Sequence, residues 1–520
     1  MYLQTTKAKE KRKRFEYDFA DGLLNEFNSS GKRVVAMKNI SHRAHPSISP
    51  REPYYTWDIQ NSITSIGVIN GKVYYTRGLN FYFDGALVGS VSRGKKQFLN
   101  YNNQVLIFPD NMYYDIESKA LGNLQTVVDT TVKFVNSSLG VNAIKSASVG
   151  VKLTDSFYEG QGILISGSGN SIVDGYHYIT GVDTANGVLY FKNYEFGSAD
   201  ISDLSCTLTN EIPVMDSACI CQNRIWGVCG NKVYASKVGD PKAFCAYGRE
   251  DSDSFVCEYH DTEGFVFCME YCGYPLIFSK SGIFKVYGDA AGNYELEGIC
   301  NSGGIDKNDV MSVAEVNGEV YYLSYGEVMR FTGAKCERVS SFPFERMTDG
   351  VGGADGGVYY LSCNDENIIN RLFVYDSRKD VWYEHEGVWI SKIVRVGDSL
   401  YGLSYNKAYL LNIPSKYPTD VEHEGRVSSY VEFDDAFDFT DNLYPDKIIV
   451  RGETGIGGNL SFDILYDNDL IWQRVGEINE EFHSLYKLDI PQRKCSSFKL
   501  RVNGLGHYCI KNLCVECAVG

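Results

Sequence analysis

Residues 70–85 read NGKVYYTRGLNFYFDG, which is a polar turn, an apolar strand, a second turn and a second strand. The pair Asn70-Gly71 tolerates the positive φ that a tight hairpin turn requires. After the turn, Val73 and Tyr75 point to one side of the strand and the residues between them to the other. The stretch therefore predicts a β-hairpin.

The same phrase occurs seven times along the chain. Aligned on one apolar strand position, the repeats are spaced by 32, 120, 51, 44, 38 and 42 residues. The aligned residues are Val73, Val105, Ile225, Leu276, Val320, Val358 and Leu400. Periods of about 40–50 residues with several strands each are typical of β-propellers, in which one sheet cannot bury its faces alone. We therefore predict an all-β fold with a propeller of about seven blades. Six blades remain possible, because the first or last repeat can share a blade with a strand from residues 32–60.

Two departures from this period predict further domains. The step of 120 residues indicates an insertion between blades, and residues 160–193 within it alternate turns with apolar runs. Past residue 414, apolar runs and turns follow at spacings near those of a β-sandwich. The predicted domains are an N-terminal arm and propeller entry (1–60), the propeller before the insertion (61–124), an inserted small β domain (125–216), the propeller after the insertion (217–414) and a C-terminal β-sandwich (425–520).

Composition agrees with an all-β protein of several modules. The chain of 520 residues has 38 Tyr and 27 Phe but only 12 Pro, and aromatic residues favour pleated, half-buried surfaces. No run of 18 apolar residues occurs, so we expect no membrane-spanning segment. The first residues lack an apolar stretch, so we expect no secretory signal. The 15 cysteines, odd in number and scattered along strand patterns, fit buried apolar positions in a reducing compartment.

Charge separates the N-terminus from the rest of the chain. The net charge is -16, with 66 acidic against 50 basic residues, which disfavours a protein that grips duplex DNA by neutralising phosphates. A basic arm at the N-terminus is the exception, and it predicts a contact with nucleic acid or with an acidic protein surface. The alternative is a solvated, disordered end. The cations of the arm are Lys7, Lys9, Lys11, Arg12, Lys13 and Arg14.

Three cysteines near the C-terminus have the spacing of iron–sulfur ligands but not the expected geometry. Cys509, Cys514 and Cys517 are spaced C-x4-C-x2-C. In a regular strand, Cys509 and Cys517 share one face and Cys514 takes the other, so three thiolates would not converge. We therefore interpret them as strand residues rather than as ligands.

Other catalytic and metal-binding patterns give no support for an enzyme. The acidic pair Asp434-Asp435 lies in a polar stretch where a solvated surface is the default. His42 and His45 precede a Pro-rich turn, which favours loop structure over a metal site. The sequence contains no G-x-S-x-G, H-E-x-x-H, P-loop or EF-hand pattern. We predict no catalytic residue, no metal ligand and no cofactor.

Several stretches together resemble a known family. They are RIWGVCGNKVYASKVGDPKAF (224–244), GYPLIFSKSGIFKVYGD (273–289), VNGEVYYLSYGEVMRFTG (316–333), LFVYDSRKDVWYEHEG (372–387), KIIVRGE (447–453) and IPQRKCSSFKLRVNGLGHYCI (490–510). These stretches resemble tailed-bacteriophage structural proteins of the tail nozzle or tail hub type. The resemblance covers most of the chain and is weakest in the inserted domain, and its motifs specify architecture rather than chemistry.

The resemblance implies a non-enzymatic virion protein that is assembled in the bacterial host cytoplasm. It implies a homo-oligomeric ring, with a hexamer favoured, through which the genome leaves the capsid. The implied partners are portal or head-to-tail adaptor proteins, tail fibres or distal tail proteins, and passing double-stranded DNA without sequence-specific binding. Acidic channel walls would repel the phosphates of that DNA. Loops such as residues 248–264 and 288–298 are the expected contact surfaces.

Two other functions stay open at this point. The propeller could bind or cleave glycans as part of the phage tail, which predicts a polar pocket with converging acidic, Arg or Tyr side chains. It could instead be a host protein-interaction scaffold.

Overall fold

A computed structural model describes most of the chain. The described residues are 11–23, 33–59, 63–260, 263–339, 342, 344, 346–416, 422–438 and 440–520. They divide into two compact units, one of residues 1–61 with 308–520 and the other of residues 62–307. The helical elements described are three short 3₁₀ turns, His42–Ala44, Leu153–Asp155 and Val310–Ser312. No helix among these described residues is long and apolar enough to cross a membrane.

The first three described strands each belong to a different sheet. They are β1 (Arg12–Tyr17), β2 (Val34–Lys38) and β3 (Tyr55–Asp58). All three belong to the first unit, and their partners are C-terminal strands of the same unit.

The second unit begins with two four-stranded antiparallel sheets in which neighbouring strands are paired in chain order. The first contains β4 (Ile63–Ile69), β5 (Lys72–Arg77), β6 (Asn80–Phe83) and β7 (Ala86–Ser90). The second contains β8 (Gln97–Tyr101), β9 (Gln104–Phe108), β10 (Met112–Asp115) and β11 (Ala120–Asn123).

The next seven strands form the inserted domain. They are β12 (Val127–Ser137), β13 (Gly140–Ser146), β14 (Gly162–Ser166), β15 (Gly175–Tyr178), β16 (Gly181–Asp183), β17 (Val188–Tyr190) and β18 (Leu204–Thr209). Their order in one sheet is β15-β14-β18-β12-β13-β17-β16. The two end strands, β15 and β16, are joined by only Ile179 and Thr180. One continuous segment therefore draws both ends of the sheet together and curls it around its own apolar core.

Two more blade sheets complete the second unit. One contains β19 (Ser217–Cys221), β20 (Arg224–Cys229), β21 (Lys232–Ala235) and β22 (Phe255–Glu258). The other contains β23 (Phe265–Tyr271), β24 (Tyr274–Ser279), β25 (Ile283–Tyr287) and β26 (Glu295–Cys300).

In this unit, a side chain on the first strand of one blade forms hydrogen bonds with the first strand of another blade. The amide of Gln97 donates to the carbonyl oxygen of Ala218 at 2.7 Å and accepts from its N–H at 2.8 Å. The hydroxyl of Ser217 accepts a hydrogen bond from the N–H of Cys268 at 3.1 Å. These bonds pair backbone groups that would otherwise be buried without a partner.

The first unit contains three further blade sheets. They are formed by β27 (Ala314–Val316), β28 (Glu319–Ser324), β29 (Glu327–Phe331) and β30 (Cys336–Arg338); by β31 (Thr348–Asp355), β32 (Val358–Asn364), β33 (Asn370–Asp376) and β34 (Val381–His385); and by β35 (Lys392–Val396), β36 (Ser399–Leu403) and β37 (Lys407–Leu410). The last sheet takes its fourth strand from the N-terminus, because its order is β35-β36-β37-β3, with the short β38 (Glu422–His423) beside β3. The sharing of a blade with a strand from residues 32–60 is thus observed.

The remaining strands build a β-sandwich with the first two strands of the chain. They are β39 (Ser428–Phe433), β40 (Ala436–Phe437), β41 (Leu443–Thr454), β42 (Asn459–Tyr466), β43 (Gln473–Ile478), β44 (Phe482–Asp489), β45 (Ser497–Leu505) and β46 (Tyr508–Val519). One sheet has the order β1-β46-β41-β44 and the other β2-β39-β45-β42-β43, with β40 beside β45. Alternate residues of both sheets fill the space between them.

The predicted fold class is confirmed: the protein is an all-β propeller with an inserted small β domain and a C-terminal β-sandwich. The described residues contain seven blade sheets. Each of the seven aligned sequence positions lies in the second strand of a blade. The turn that precedes this strand uses left-handed residues, as at Asn70 and Gly71 with φ of 52° and 75° and at Asn317 and Gly318 with 54° and 80°.

Gly162 allows a close approach within the second unit. A Cβ atom at this position would lie 1.8 Å from the carbonyl oxygen of Cys245, which belongs to the segment between β21 and β22. Gly162→Ala should therefore lower the free energy of unfolding by about 1–3 kcal/mol, measured by urea denaturation. Gly292→Ala is the matched control, because a Cβ atom there would meet nothing within 4 Å. Equal stability of the two variants would contradict the packing described.

Candidate functional site

A cavity of about 260 Å³ opens within the first unit. It is lined by the N-terminal connection before β3, by the end of β34 and by the segment that follows β37. The lining residues are Ser41, His42, Arg43, Arg51, Glu52, Pro53, Tyr54, Tyr55, His385, Leu410, Leu411, Asn412, Ile413 and His423. The cavity thus gathers three histidines, two arginines and a buried tyrosine from three distant regions of the sequence.

Local backbone bonds fold the N-terminal connection against the cavity. The N–H of Ser41 donates to the carbonyl of Ser49 at 2.9 Å, and the N–H of Arg51 donates to the carbonyl of Asn39 at 2.8 Å. Between them, the hydroxyl of Ser41 accepts from the N–H of Arg43 and caps the 3₁₀ turn His42–Ala44. The resulting loop presents His42 and Arg51 on the same wall.

Arg51 is the most highly bonded side chain of the cavity. Its guanidinium binds both carboxylate oxygens of Glu424, at 2.5 and 3.1 Å, and donates to Asn39 and to the carbonyl of Glu52, each at 3.0 Å. It also stacks 3.9 Å from the ring centre of Tyr54. Such a planar, bidentate pairing is specific to arginine. Arg51 is buried, and these bonds repay the loss of its hydration.

Tyr54 and His385 form the second bonded pair. Their hydroxyl oxygen and Nδ1 atoms are 2.6 Å apart. Burial, reinforced by the charge of Arg51, lowers the pKa of His385 well below its ordinary value. Burial raises the pKa of Tyr54. His385 is therefore neutral at pH 7, and the tyrosine O–H can donate to its unprotonated nitrogen.

His42 is held neutral by the same physics. Burial, and then the nearby charge of Arg43, lowers the pKa of His42 to about 4. The neighbouring His45 places its Nδ1 atom 3.0 Å from the hydroxyl of Tyr383. The histidine pair that the sequence placed in a loop thus contacts the end of β34. Within the cavity, His42 and His385 are polar but uncharged at neutral pH.

A lowered histidine pKa makes stability depend on pH. The unfolded chain binds a proton at His42 near pH 6.5, whereas the folded chain does so only near pH 4, so stability is complete above pH 6.5 and is lost as the pH falls towards 4. The loss assigned to His42 is about 3 kcal/mol at pH 4. His42→Asn should remove this share of the pH dependence in urea denaturation series at pH 7 and pH 4. The exposed His423→Asn is the control, and an identical slope in both variants would contradict this assignment.

The structure places several cations of the basic arm on a strand. Lys7 and Lys9 lie outside the described residues, and Lys11 precedes β1. Arg12, Lys13 and Arg14 belong to β1 at the edge of the sandwich. The alternative of a disordered end is therefore wrong for residues 12–17, whereas contact with nucleic acid or a partner stays a prediction.

Acidic side chains of the same domain pair with these three cations. Arg12 lies 3.2 Å from Asp446, Lys13 lies 2.5 Å from Asp438, and Arg14 lies 2.6 Å from Glu516. The hydrogen bond from Lys13 contributes most to holding the pKa of Asp438 below its usual range. The positive field of the arm is therefore partly neutralised within the chain.

The sequence of β1 alternates apolar and charged residues, and its cations made this strand pattern hard to recognise. In the stretch RKRFEY, Phe15 and Tyr17 alternate with charged residues and both are buried in the sandwich core. This alternation is the mark of a half-buried strand. The four adjacent cations made the stretch look like a solvated arm instead.

The three C-terminal cysteines all lie on β46, but their faces differ from the expectation. A register shift between Arg451 and Gly452 adds one residue to β46 relative to β41. Because of this bulge, Cys509 and Cys514 point the same way, and Cys517 points into the core. In the described residues, no group of three or more His, Cys, Asp or Glu side chains could hold a metal ion.

No sequence signal pointed to the cluster of Arg51, Tyr54, His385 and Glu424. Arg51 and Tyr54 lie more than 300 residues before their partners, and none of the four belongs to a recognisable motif. Only the stretch of prolines around Arg51 marked an ordered turn there.

Comparisons with known proteins identify no family for the chain. No family model and no curated protein matches it. Among solved structures, it is similar to the phage phi92 endosialidase at 10% identity and a TM-score of 0.27, over 78% of this chain and 77% of that one. It is similar to the AfRom2 CNH domain at 7% identity and a TM-score of 0.34, over 69% and 99%. The N-terminal domain of Nup159 matches 43% of this chain at 9% identity and a TM-score of 0.25, and the match spans 60% of that domain. At these scores, the likenesses carry no argument about activity.

Proposed function

We propose that this protein is a non-enzymatic structural subunit of a phage virion, in the nozzle or hub ring of the tail. In this proposal, copies assemble in the bacterial host cytoplasm into a ring, hexameric by preference, that connects portal or adaptor proteins to fibres or other distal tail proteins. The genome passes through the ring without sequence-specific contacts. The proposal begins from the resemblance of the repeated hairpins and the C-terminal stretches to such proteins.

The path of the N-terminal segment is the observation that supports this function most. Within the first unit, β1 and β2 each extend one sheet of the sandwich, while β3 supplies a strand of the last blade. Each of these three strands is held by a ladder of backbone hydrogen bonds to strands from residues 407–519. The N-terminal segment therefore connects the sandwich to the last blade, and this connection is released only if β3 leaves the blade or β1 and β2 leave the sandwich. Such stiffness suits a subunit that bears load during genome ejection.

The cavity groups also fit a structural role. Arg51 and Glu424 satisfy each other, and Tyr54 is bonded to His385. These bonds connect the N-terminal connection to the end of β34 and to the segment after β38. These four side chains therefore use their polar atoms to hold parts of the folded chain together.

Particle mass tests the ring directly. One copy has a mass of 58.3 kDa, and we expect purified protein at micromolar concentration to give a closed particle of several copies in mass photometry and electron microscopy. The images should show a central channel wide enough for duplex DNA. Particles of one copy only, at every concentration and also in the presence of the portal or adaptor proteins of the same phage, would remove the ring from consideration.

Glycan binding is a second candidate, favoured by exposed aromatic side chains on blade connections. Trp389, between β34 and β35, is 56% exposed, and Tyr405, between β36 and β37, is 62% exposed. Large rings held out in water on loops of a rigid scaffold are typical of binding surfaces. Flat apolar rings suit the C–H faces of sugar units.

A glycan array distinguishes the two candidates. If the chain binds glycans, Trp389→Ala and Tyr405→Ala should each weaken binding at least tenfold, which corresponds to about 1.4 kcal/mol. Tyr190→Ala, at an exposed tyrosine of the inserted domain, should leave binding unchanged. Absence of signal for the wild-type protein would remove the second candidate without affecting the first.

A further inference from the structure

One sheet of the sandwich ends in two strands whose outer edges are unpaired in the described structure. In the sheet β1-β46-β41-β44, the strand partner of β1 among the described residues is β46 alone, and that of β44 is β41 alone. All three pairings are antiparallel, so with four strands the two edge strands run in opposite directions. A second copy placed beside the first could therefore add its β1 to β44 as an antiparallel strand, continuing the same alternation.

The other sheet of the sandwich does not offer this arrangement. It has five main strands, so its edge strands β2 and β43 run in the same direction and would pair in parallel. The outer side of β2 is also occupied, because Leu23 bridges Val34 at its start. At its end, the N–H of Asn39 donates to the carbonyl of Glu384 at 2.9 Å.

A row of charges of alternating sign crosses the outer face of the four-stranded sheet. The strand registers place Arg14, Glu516, Lys447 and Asp489 side by side in that order. Arg14 lies 2.6 Å from Glu516, and Lys447 lies 3.2 Å from Asp489. The row ends in a cation on β1 and an anion on β44, whose side chains are 66% and 85% exposed. A neighbouring copy would continue the alternation.

The next row of residues on the same face also ends in opposite charges, but with the signs exchanged between the two edge strands. It runs from Glu16 through Cys514 and Ile449 to Lys487, so β1 ends in an anion and β44 in a cation. In an antiparallel pair, the register that sets Arg14 opposite Asp489 of the next copy also sets Glu16 opposite Lys487. One register therefore satisfies both charged pairs, and opposite charges directly across two strands stabilise the pairing.

The inward-facing residues agree with this register. It sets Phe15 opposite Leu488 and Tyr17 opposite Tyr486. Phe15 and Tyr17 are buried, whereas Leu488 and Tyr486 are only partly buried at the open edge of the core. Addition of a strand would cover them with apolar side chains.

We propose that copies of this protein join edge to edge, β1 of one copy pairing with β44 of the next in the register Arg14 to Asp489 and Glu16 to Lys487. The contact uses two different surfaces of each copy, as a closed ring requires. The inference rests on the proposed ring and specifies its interface.

Charge exchange at Glu16 and Lys487 tests the proposal, because both are exposed and neither takes part in an ion pair of the described structure. Glu16→Lys and Lys487→Glu should each raise the concentration for half-assembly at least tenfold in mass photometry, because each sets like charges across the contact. The double variant should assemble like the wild type. Lys511→Glu is the matched control, since Lys511 is exposed on the inner strand β46 and should leave assembly unchanged.

Mixing the two single variants tests that the contact is head-to-tail. In the mixture, every contact between unlike copies pairs opposite charges, so assembly should return with the two variants in equal numbers. Amide hydrogen exchange in residues 12–17 and 482–489 should slow on assembly. The substitutions Glu16→Lys and Lys487→Glu must leave the thermal unfolding temperature of the monomer unchanged. An effect on assembly is then separated from an effect on folding.

The outcomes separate this inference from the proposed function. A wild-type protein that never assembles would overturn both. A wild-type ring that persists in both single variants, or single variants that fail to recover on mixing, would overturn the edge pairing and leave the ring intact.

Discussion

Backbone pairing by the N-terminal segment is the interaction on which the first unit depends. A strand edge left without a partner exposes a row of N–H and C=O groups, and the last blade contributes only β35, β36 and β37 from its own stretch of chain. β3 fills the missing position, and β1 and β2 cover the edges of β46 and β39 in the two sheets of the sandwich. The loops closed by these pairings are several hundred residues long, but closure entropy grows only with the logarithm of loop length. By this relation, closing a loop of several hundred residues costs about 4 kcal/mol more than closing a short turn. In return, the pairing fixes two modules at once.

The blades could be predicted from the sequence because their signals are local. Each repeat joins a two-residue turn with left-handed residues to strands of alternating pattern, and the turn at Asn317-Gly318 shows both. The inserted and C-terminal domains were visible as breaks in that period. Strand β1 was not recognised, because its partner β46 lies at the other end of the chain and its cations hid the alternation of Phe15 and Tyr17. The faces of the β46 cysteines were wrong for a related reason, since a bulge is set by the neighbouring strand and not by the strand itself.

The Arg51 cluster illustrates how a polar interior adds specificity rather than stability. Removing a guanidinium from water is costly, and its bonds to Glu424, Asn39 and Glu52 do little more than repay that cost. An apolar core would tolerate several positions of the N-terminal connection. An arginine that makes a bidentate ion pair and stacks on an aromatic ring fits only one position of this connection. The cluster could not be read from the sequence, because its geometry exists only after the strands on either side have paired.

The same reasoning applies to the open edges of β1 and β44. A sheet with two free edges is at risk of indiscriminate pairing, and charged side chains on edge strands are a common protection. Here the charges also select a register. Sliding β1 by two residues in one direction along the β44 of another copy would set Arg14 against Lys487, and in the other direction Glu16 against Asp489. Sliding by one residue would turn Phe15 and Tyr17 away from the core. Each two-residue slide therefore sets like charges across the contact and loses both opposite-charge pairs of the proposed register, whereas each one-residue slide exposes apolar side chains. The same charges that disfavour other pairings thus favour the proposed one.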